Sequence, residues 1–197
     1  MRRLILFTIF FVTTFLSNAQ YSKDYLKTED IYKGLGLMGL HIYKYPVLSD
    51  TSFEFFLMVE EFSNGKCVDS TQLVSDENQS LLKKIYGKPL TINRDTTFLS
   101  IFVKQQFDSL YTFNFSYSFF SSHKQIILSK AQYGTHELRE FKSPKITNRG
   151  KYPVLMLSSS WQQNLNGVAI TRFCFPEKID EIKLISKHFY VLSIIAR

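Results

Sequence analysis

The sequence predicts a mainly β protein: a single-domain antiparallel β-sandwich, or a strongly curved sheet, with two or three short helices. The alternative is an α+β arrangement. Three observations lead there. "YTFNFSYSF", residues 111–119, places a ring at every second position, which is the period of a strand with one dry face. Two β-rich runs flank Asn64-Gly65, a dipeptide that supplies both positive φ values of a type I′ hairpin turn. From Thr96 onward, β-branched and aromatic runs follow one another, separated by polar or turn-forming residues.

Taken in order, the chain opens with "MRRLILFTIFFVTTFLSNAQ". Arg2 and Arg3, an uncharged apolar run and a small-x-small end at Ala19 are the three parts of a signal peptide. Residues 1–19 are therefore read as cleaved, and residues 20–197 as one mainly β domain, exported to the periplasm or beyond. No later stretch reaches the roughly 20 apolar residues that span a bilayer, so no transmembrane segment is expected after cleavage. A weak helix over Ser22 to Lys33 precedes "GLGLMG" and a strand-like "LHIYKYPV". The hairpin strands run near Glu54–Phe62 and Lys66–Val74. Ser75 then caps a short helix in which Leu81, Leu82 and Ile85 form an apolar stripe, with Gly87 and Pro89 as stop signals. The later strands are "TTFLSIFVK", "SLYTFNFSYSFF", "KQIILSKAQ", "YPVLMLSSSW", "GVAITRFCF" and "FYVLSIIA". "YPVLMLSS" and "FYVLSIIA" are apolar at both parities, which suits central strands covered on both faces. Between the last two strands, Ile179, Ile182 and Ile185 mark a short amphipathic helix.

Five rings exposed in a row would make an aggregation-prone patch. The row Tyr111, Phe113, Phe115, Tyr117 and Phe119 is therefore assigned to the core, with Thr112, Asn114, Ser116 and Ser118 toward water.

The formal net charge is +7. Its densest basic stretch, "REFKSPKITNRGK", offers Arg139, Lys142, Lys145, Arg149 and Lys151 as a patch for an anionic partner. The residue types are those of a solvated connection, and no specific nucleic-acid binding is expected. Cys67 and Cys174 are the only cysteines, and an oxidising compartment permits a bridge between them.

No catalytic residue, metal ligand or cofactor emerges. "GLGLMG" matches the dinucleotide glycine pattern, but it lacks the preceding strand and following helix that make the pattern work. His41, His123, His136 and His188 lack short-range partners at ligand spacing. "HELRE" lacks the second histidine of a zincin motif. The most suggestive surface is "SSSWQQNLNG". There Trp161 stands beside Gln162, Gln163, Asn164 and Asn166, a ring and amide set able to hold a sugar or other polar ligand. The simpler reading is a polar hairpin loop whose Trp161 closes the end of the core.

Three triplets, Asp69-Ser70-Thr71, Asp95-Thr96-Thr97 and Asp108-Ser109-Leu110, resemble the acceptor of a bacterial secretory O-glycosylation system. The resemblance implies modification at Ser70, Thr96 and Ser109. Asn78-Gln79-Ser80 and Asn114-Phe115-Ser116 match the N-glycan pattern, which counts only in a eukaryotic source. The functional expectation is a non-enzymatic binding or accessory module of the cell envelope or extracellular space, its partner a glycan or an envelope protein. The alternatives are a secreted hydrolase whose site is assembled from distant carboxylates or histidines, and an envelope inhibitor or immunity-type protein.

Overall fold

The computed structural model describes residues 28–93, 97–106, 110–128, 134, 136–141, 145–172 and 178–197. They form α1 (Thr28–Leu37), β1 (Leu40–Ser49), β2 (Phe53–Ser63), β3 (Lys66–Val74), α2 (Asp76–Tyr86), β4 (Thr91–Ile92), β5 (Thr97–Gln106), β6 (Leu110–Tyr117) and β7 (Phe120–Ile127). After these come β8 (His136–Glu140), β9 (Lys145–Ile146), β10 (Gly150–Ser159), β11 (Trp161–Leu165), β12 (Val168–Arg172), α3 (Ile179–Ile185) and β13 (His188–Ala196). The chain divides into two compact units, residues 1–41 and 42–197. In the first, α1 runs through Gly34 and Gly36 rather than stopping at Lys33, and the turn falls at Gly39, whose φ is 76°.

The second unit has the sandwich character that the alternation predicts. One sheet has the order β7-β6-β5-β1-β9, and the other β3-β2-β13-β10-β8, with β4 added to β2. Pairing is antiparallel through β7-β6-β5 and throughout the second sheet, while the short β1–β9 contact is parallel. Their inner faces share one core that includes Ile101, Phe113, Phe115 and Tyr117 from the first sheet and Phe55, Leu57, Leu157 and Leu192 from the second. Tyr117 stacks on Phe55 with centroids 3.9 Å apart and donates its hydroxyl to the Thr91 carbonyl. A smaller cluster covers the other face of the second sheet, where Ile182 of α3 meets Phe62, Met156, Phe189 and Val191. Burial on both faces is why β10 and β13 lack alternation.

Two further expectations change. The ring row ends at Tyr117, because the chain reverses at Ser118-Phe119 and leaves Phe119 exposed. Ser118 adopts φ 55°, a left-handed conformation without the usual glycine signal. In α2, Leu82 is buried but Leu81 and Ile85 are exposed, and the second buried residue is Gln79. The caps are as expected: Ser75 and Asn78 form a reciprocal box, and Gly87 closes the helix at φ 71°.

Asn64 (φ 47°) and Gly65 (φ 77°) make the expected β2–β3 turn. A Cβ at Gly65 would also sit 3.0 Å from the Lys183 carbonyl oxygen. Gly65→Val should therefore destabilise by about 2 kcal/mol or more, from left-handed strain plus that contact. Equilibrium denaturation checks this, and an unchanged midpoint would rule the turn out.

Candidate functional site

The ribbon "WQQNLNG" becomes a two-stranded sheet, β11 against β12, closed by Asn166 (φ 53°) and Gly167 (φ 83°). Strand parity divides the expected ligand set. Trp161 and Gln163 lie on one face, opposite Arg172 and Ile170, while Gln162 and Asn164 lie on the other, opposite Thr171 and Ala169. Asn166 is at the tip. Trp161 is half-buried and packs against the smaller core cluster, the role of a ring that closes a core edge.

The basic stretch is not a single loop. Arg139 lies on β8 and Lys151 on β10 of one sheet, while Lys145 lies on β9 of the other; Arg149 is exposed just before β10, and Lys142 is outside the described residues. Lys145 pairs with Asp50 at 3.2 Å, and Lys151 pairs with Glu60. Cys67 is an exposed free thiol, and its expected partner Cys174 lies outside the described residues. Ser70 is exposed on edge strand β3 with its hydroxyl on the Met58 sulfur; Thr96 and Ser109 lie outside the described residues. Asn78 is already engaged in the α2 capping box.

The fold does assemble titratable groups that sequence spacing kept apart. His136 opens β8 and His188 opens β13, and both strands flank β10. At about 4.8 Å per strand, the two backbones stand roughly 10 Å apart. Register places His136 opposite Ser159, the last residue of β10, so the two rings meet over a small side chain. His136 Nε2 lies 3.1 Å from His188 Nδ1, His136 Nδ1 lies 3.2 Å from the Gly134 carbonyl, and His188 Nε2 lies 2.9 Å from Glu61 Oε1. Both histidines are buried, while the Glu61 side chain is 28% exposed. A β3 bulge beside Glu61, where Asp69 and Cys67 pair with Glu61 and Phe62 and skip Val68, bends the edge at this point.

Ser159 and Ser186 hold the surrounding corner. Ser159 Oγ accepts the His188 backbone N–H at 3.3 Å and lies 3.2 Å from Ser186 Oγ, which is also 2.8 Å from Ser158 Oγ.

The geometry identifies the central contact as a hydrogen bond. The ring centroids are 5.4 Å apart with the nitrogens 3.1 Å apart, which two imidazoles reach only when those nitrogens face each other along one line. Two rings converging on a shared metal would bring their centroids closer for the same nitrogen separation. Among the described residues, no group of three or more His, Cys, Asp or Glu side chains could hold a metal ion. Burial, and then the neighbouring His188, hold the pKa of His136 down to about 4, against an opposing contribution from the Gly134 carbonyl. Elsewhere in the core, burial and then Glu140 push Tyr43 up to about 12, and Tyr45 is raised further.

Sequence spacing missed this chain because its members are 61, 136 and 188. A subtler signal was present. His188 shares parity with Tyr190, Leu192 and Ile194, and Glu61 shares parity with Leu57 and Val59, so each is a polar residue at the end of a core-facing row.

Among the described residues no helix is long and apolar enough to cross a membrane. No curated protein and no solved structure matches the chain. The chain belongs to the family described as a domain of unknown function, DUF5041, whose profile matches it over residues 11–197.

Proposed function

We propose that this protein is an exported, non-enzymatic binding or accessory module of the cell envelope that docks a protein partner through the β11–β12 ribbon. One observation carries the reading. On a single face of the ribbon, Leu165 pairs with Val168 and Gln163 with Ile170, and Leu165, Val168 and Ile170 are all exposed. An isolated two-stranded ribbon is marginal in water, and contiguous exposed apolar side chains on a soluble protein mark an interaction surface. The open ribbon edges can also take a partner strand by main-chain pairing. The charged start of the chain and its short apolar run support the compartment.

The hydrolase alternative gains a carboxylate and two histidines from the fold, but their arrangement favours binding. All four ring nitrogens of His136 and His188 already face a partner, so neither ring offers a nitrogen to a substrate proton. General base catalysis needs one within hydrogen-bond reach.

A photo-crosslinking residue at position 168 in intact cells should give one discrete adduct with an envelope protein. Ile170→Glu should abolish the adduct while leaving the folded spectrum unchanged, and Gln162→Ala, on the opposite face, should leave it intact. Crosslinks that survive Ile170→Glu would sink the assignment. Competition by an added soluble glycan would replace the protein partner with a carbohydrate.

A further inference from the structure

We infer that Glu61, His188 and His136 form a proton-operated latch that fastens edge strand β8, and with it the base of the β11–β12 ribbon, to the rest of the sheet. This goes beyond the docking role and does not depend on it.

The latch follows from counting protons. The chain contains three hydrogen bonds: Gly134 carbonyl to His136, His136 to His188, and His188 to Glu61. Carbonyl and carboxylate oxygens accept, so making all three at once takes three protons spread over the two imidazoles and Glu61. Wherever those protons sit, the net charge of the group is zero, which suits a buried site. With two protons, one bond must be lost. A fourth proton either turns the two facing nitrogens into opposed donors or neutralises Glu61, which strips the buried imidazolium of its counter-charge. The arrangement is therefore complete in one protonation state, and loses a bond or its charge balance when a proton leaves or a fourth arrives.

The fold turns that failure into movement of a particular element. Among the described residues, β8 is an edge strand paired only with β10. The His136–His188 bond is its tie across β10 to β13. Ser159, opposite His136, ends β10 and is separated from Trp161 of the ribbon by one residue. Among the described residues, the groups on the latch side are Glu61 from β2, Asp69 paired with it on β3, Lys124 of β7 bonded to Asp69, Tyr190 of β13 edge-on to His188, and Glu140, which shares the parity of His136 at the far end of β8. Glu137 and Arg139 occupy the other parity of β8.

The sign is as follows. His136 is held neutral in the fold, so its contribution is whole above its ordinary value of 6.5 and is lost as pH falls from there toward about 4. Two measurements on the full mature chain test the latch. In protein labelled with ¹⁵N-histidine, the His136 ring should keep neutral shifts until near pH 4. Hydrogen exchange, corrected for its intrinsic pH dependence, should show β8 and Trp161 losing protection on acidification before β5 and β6 do. His136→Gln keeps a side-chain donor but cannot titrate, so it should abolish that early loss. If that variant does not fold, Glu61→Leu supplies the second arm: with no polar group left to meet His188 Nε2, the outer bond of the chain is lost, and β8 should be under-protected already at neutral pH. Titration of His136 at its ordinary value, simultaneous loss of protection in β5 and β8, or an unchanged profile in both variants would overturn the latch. Each readout is made without a partner, so its failure leaves the docking role standing, and the reverse holds too.

Discussion

Replacing Phe115 with alanine should lower stability by about 3–5 kcal/mol, the usual cost of deleting a buried aromatic ring and leaving a cavity. Phe115 is 3% exposed, lies in the middle of β6 between β5 and β7, and stacks beside Phe113 at 6.1 Å. Domains of this kind are stable by about 5–15 kcal/mol in total, so the single change should often leave little folded protein. Asn114→Ala, one residue away on the exposed face opposite Phe102 and His123, should change the midpoint little. Guanidinium unfolding of the two variants compares them directly. Equal small shifts would mean that β6 is not amphipathic, and a larger shift for Asn114→Ala would reverse its two faces.

The second large effect is expected at Gln79. This side chain is buried on α2, donates to the Phe55 carbonyl at 2.6 Å and the Leu90 carbonyl at 3.0 Å, and accepts the Leu90 N–H at 2.8 Å. One amide thus joins the helix to β2 and to the segment entering β4. Gln79→Leu preserves size and removes the polar partners, stranding the buried Leu90 N–H. The expected cost is about 2–4 kcal/mol, since an unsatisfied buried group loses its hydration without compensation. Ser80→Ala should be nearly neutral, because its exposed hydroxyl bonds back to the Asp76 carbonyl of its own helix. Thermal melts of both variants check the contrast, and a neutral Gln79→Leu would show that Leu90 finds another acceptor.

Gln79 also shows why local reading misplaced the face of α2. Helical spacing nominates Leu81, Leu82 and Ile85 together, yet the helix meets the sheet through Leu82 and an amide. Periodicity identifies apolar side chains that could be covered. It carries no information about the Phe55 carbonyl and the Leu90 backbone groups that face the helix, and these made a glutamine the better contact. Ser118 teaches a similar lesson, since its left-handed backbone is imposed by the pairing of β6 with β7 rather than by any residue preference.

Features governed by neighbours along the chain were therefore legible at once. The Asn64-Gly65 turn depends on two residues' backbone freedom. The ends of α2 depend on Ser75, Asn78 and Gly87, and the dry face of β6 depends on alternation over a few positions. Burial of β10 and β13 on both faces could be read from their composition for the same reason. The Glu61–His188–His136 chain belongs to another class. Its members come from three strands, and their distances depend on which strands neighbour β10, in what register, and on Ser159 being small enough for two rings to meet above it. Strand order and register arise from the summed packing of the sheet, in which each pair contributes a little. No local stretch records them, so a hydrogen-bonded chain across three strands exists only once the whole sheet is assembled.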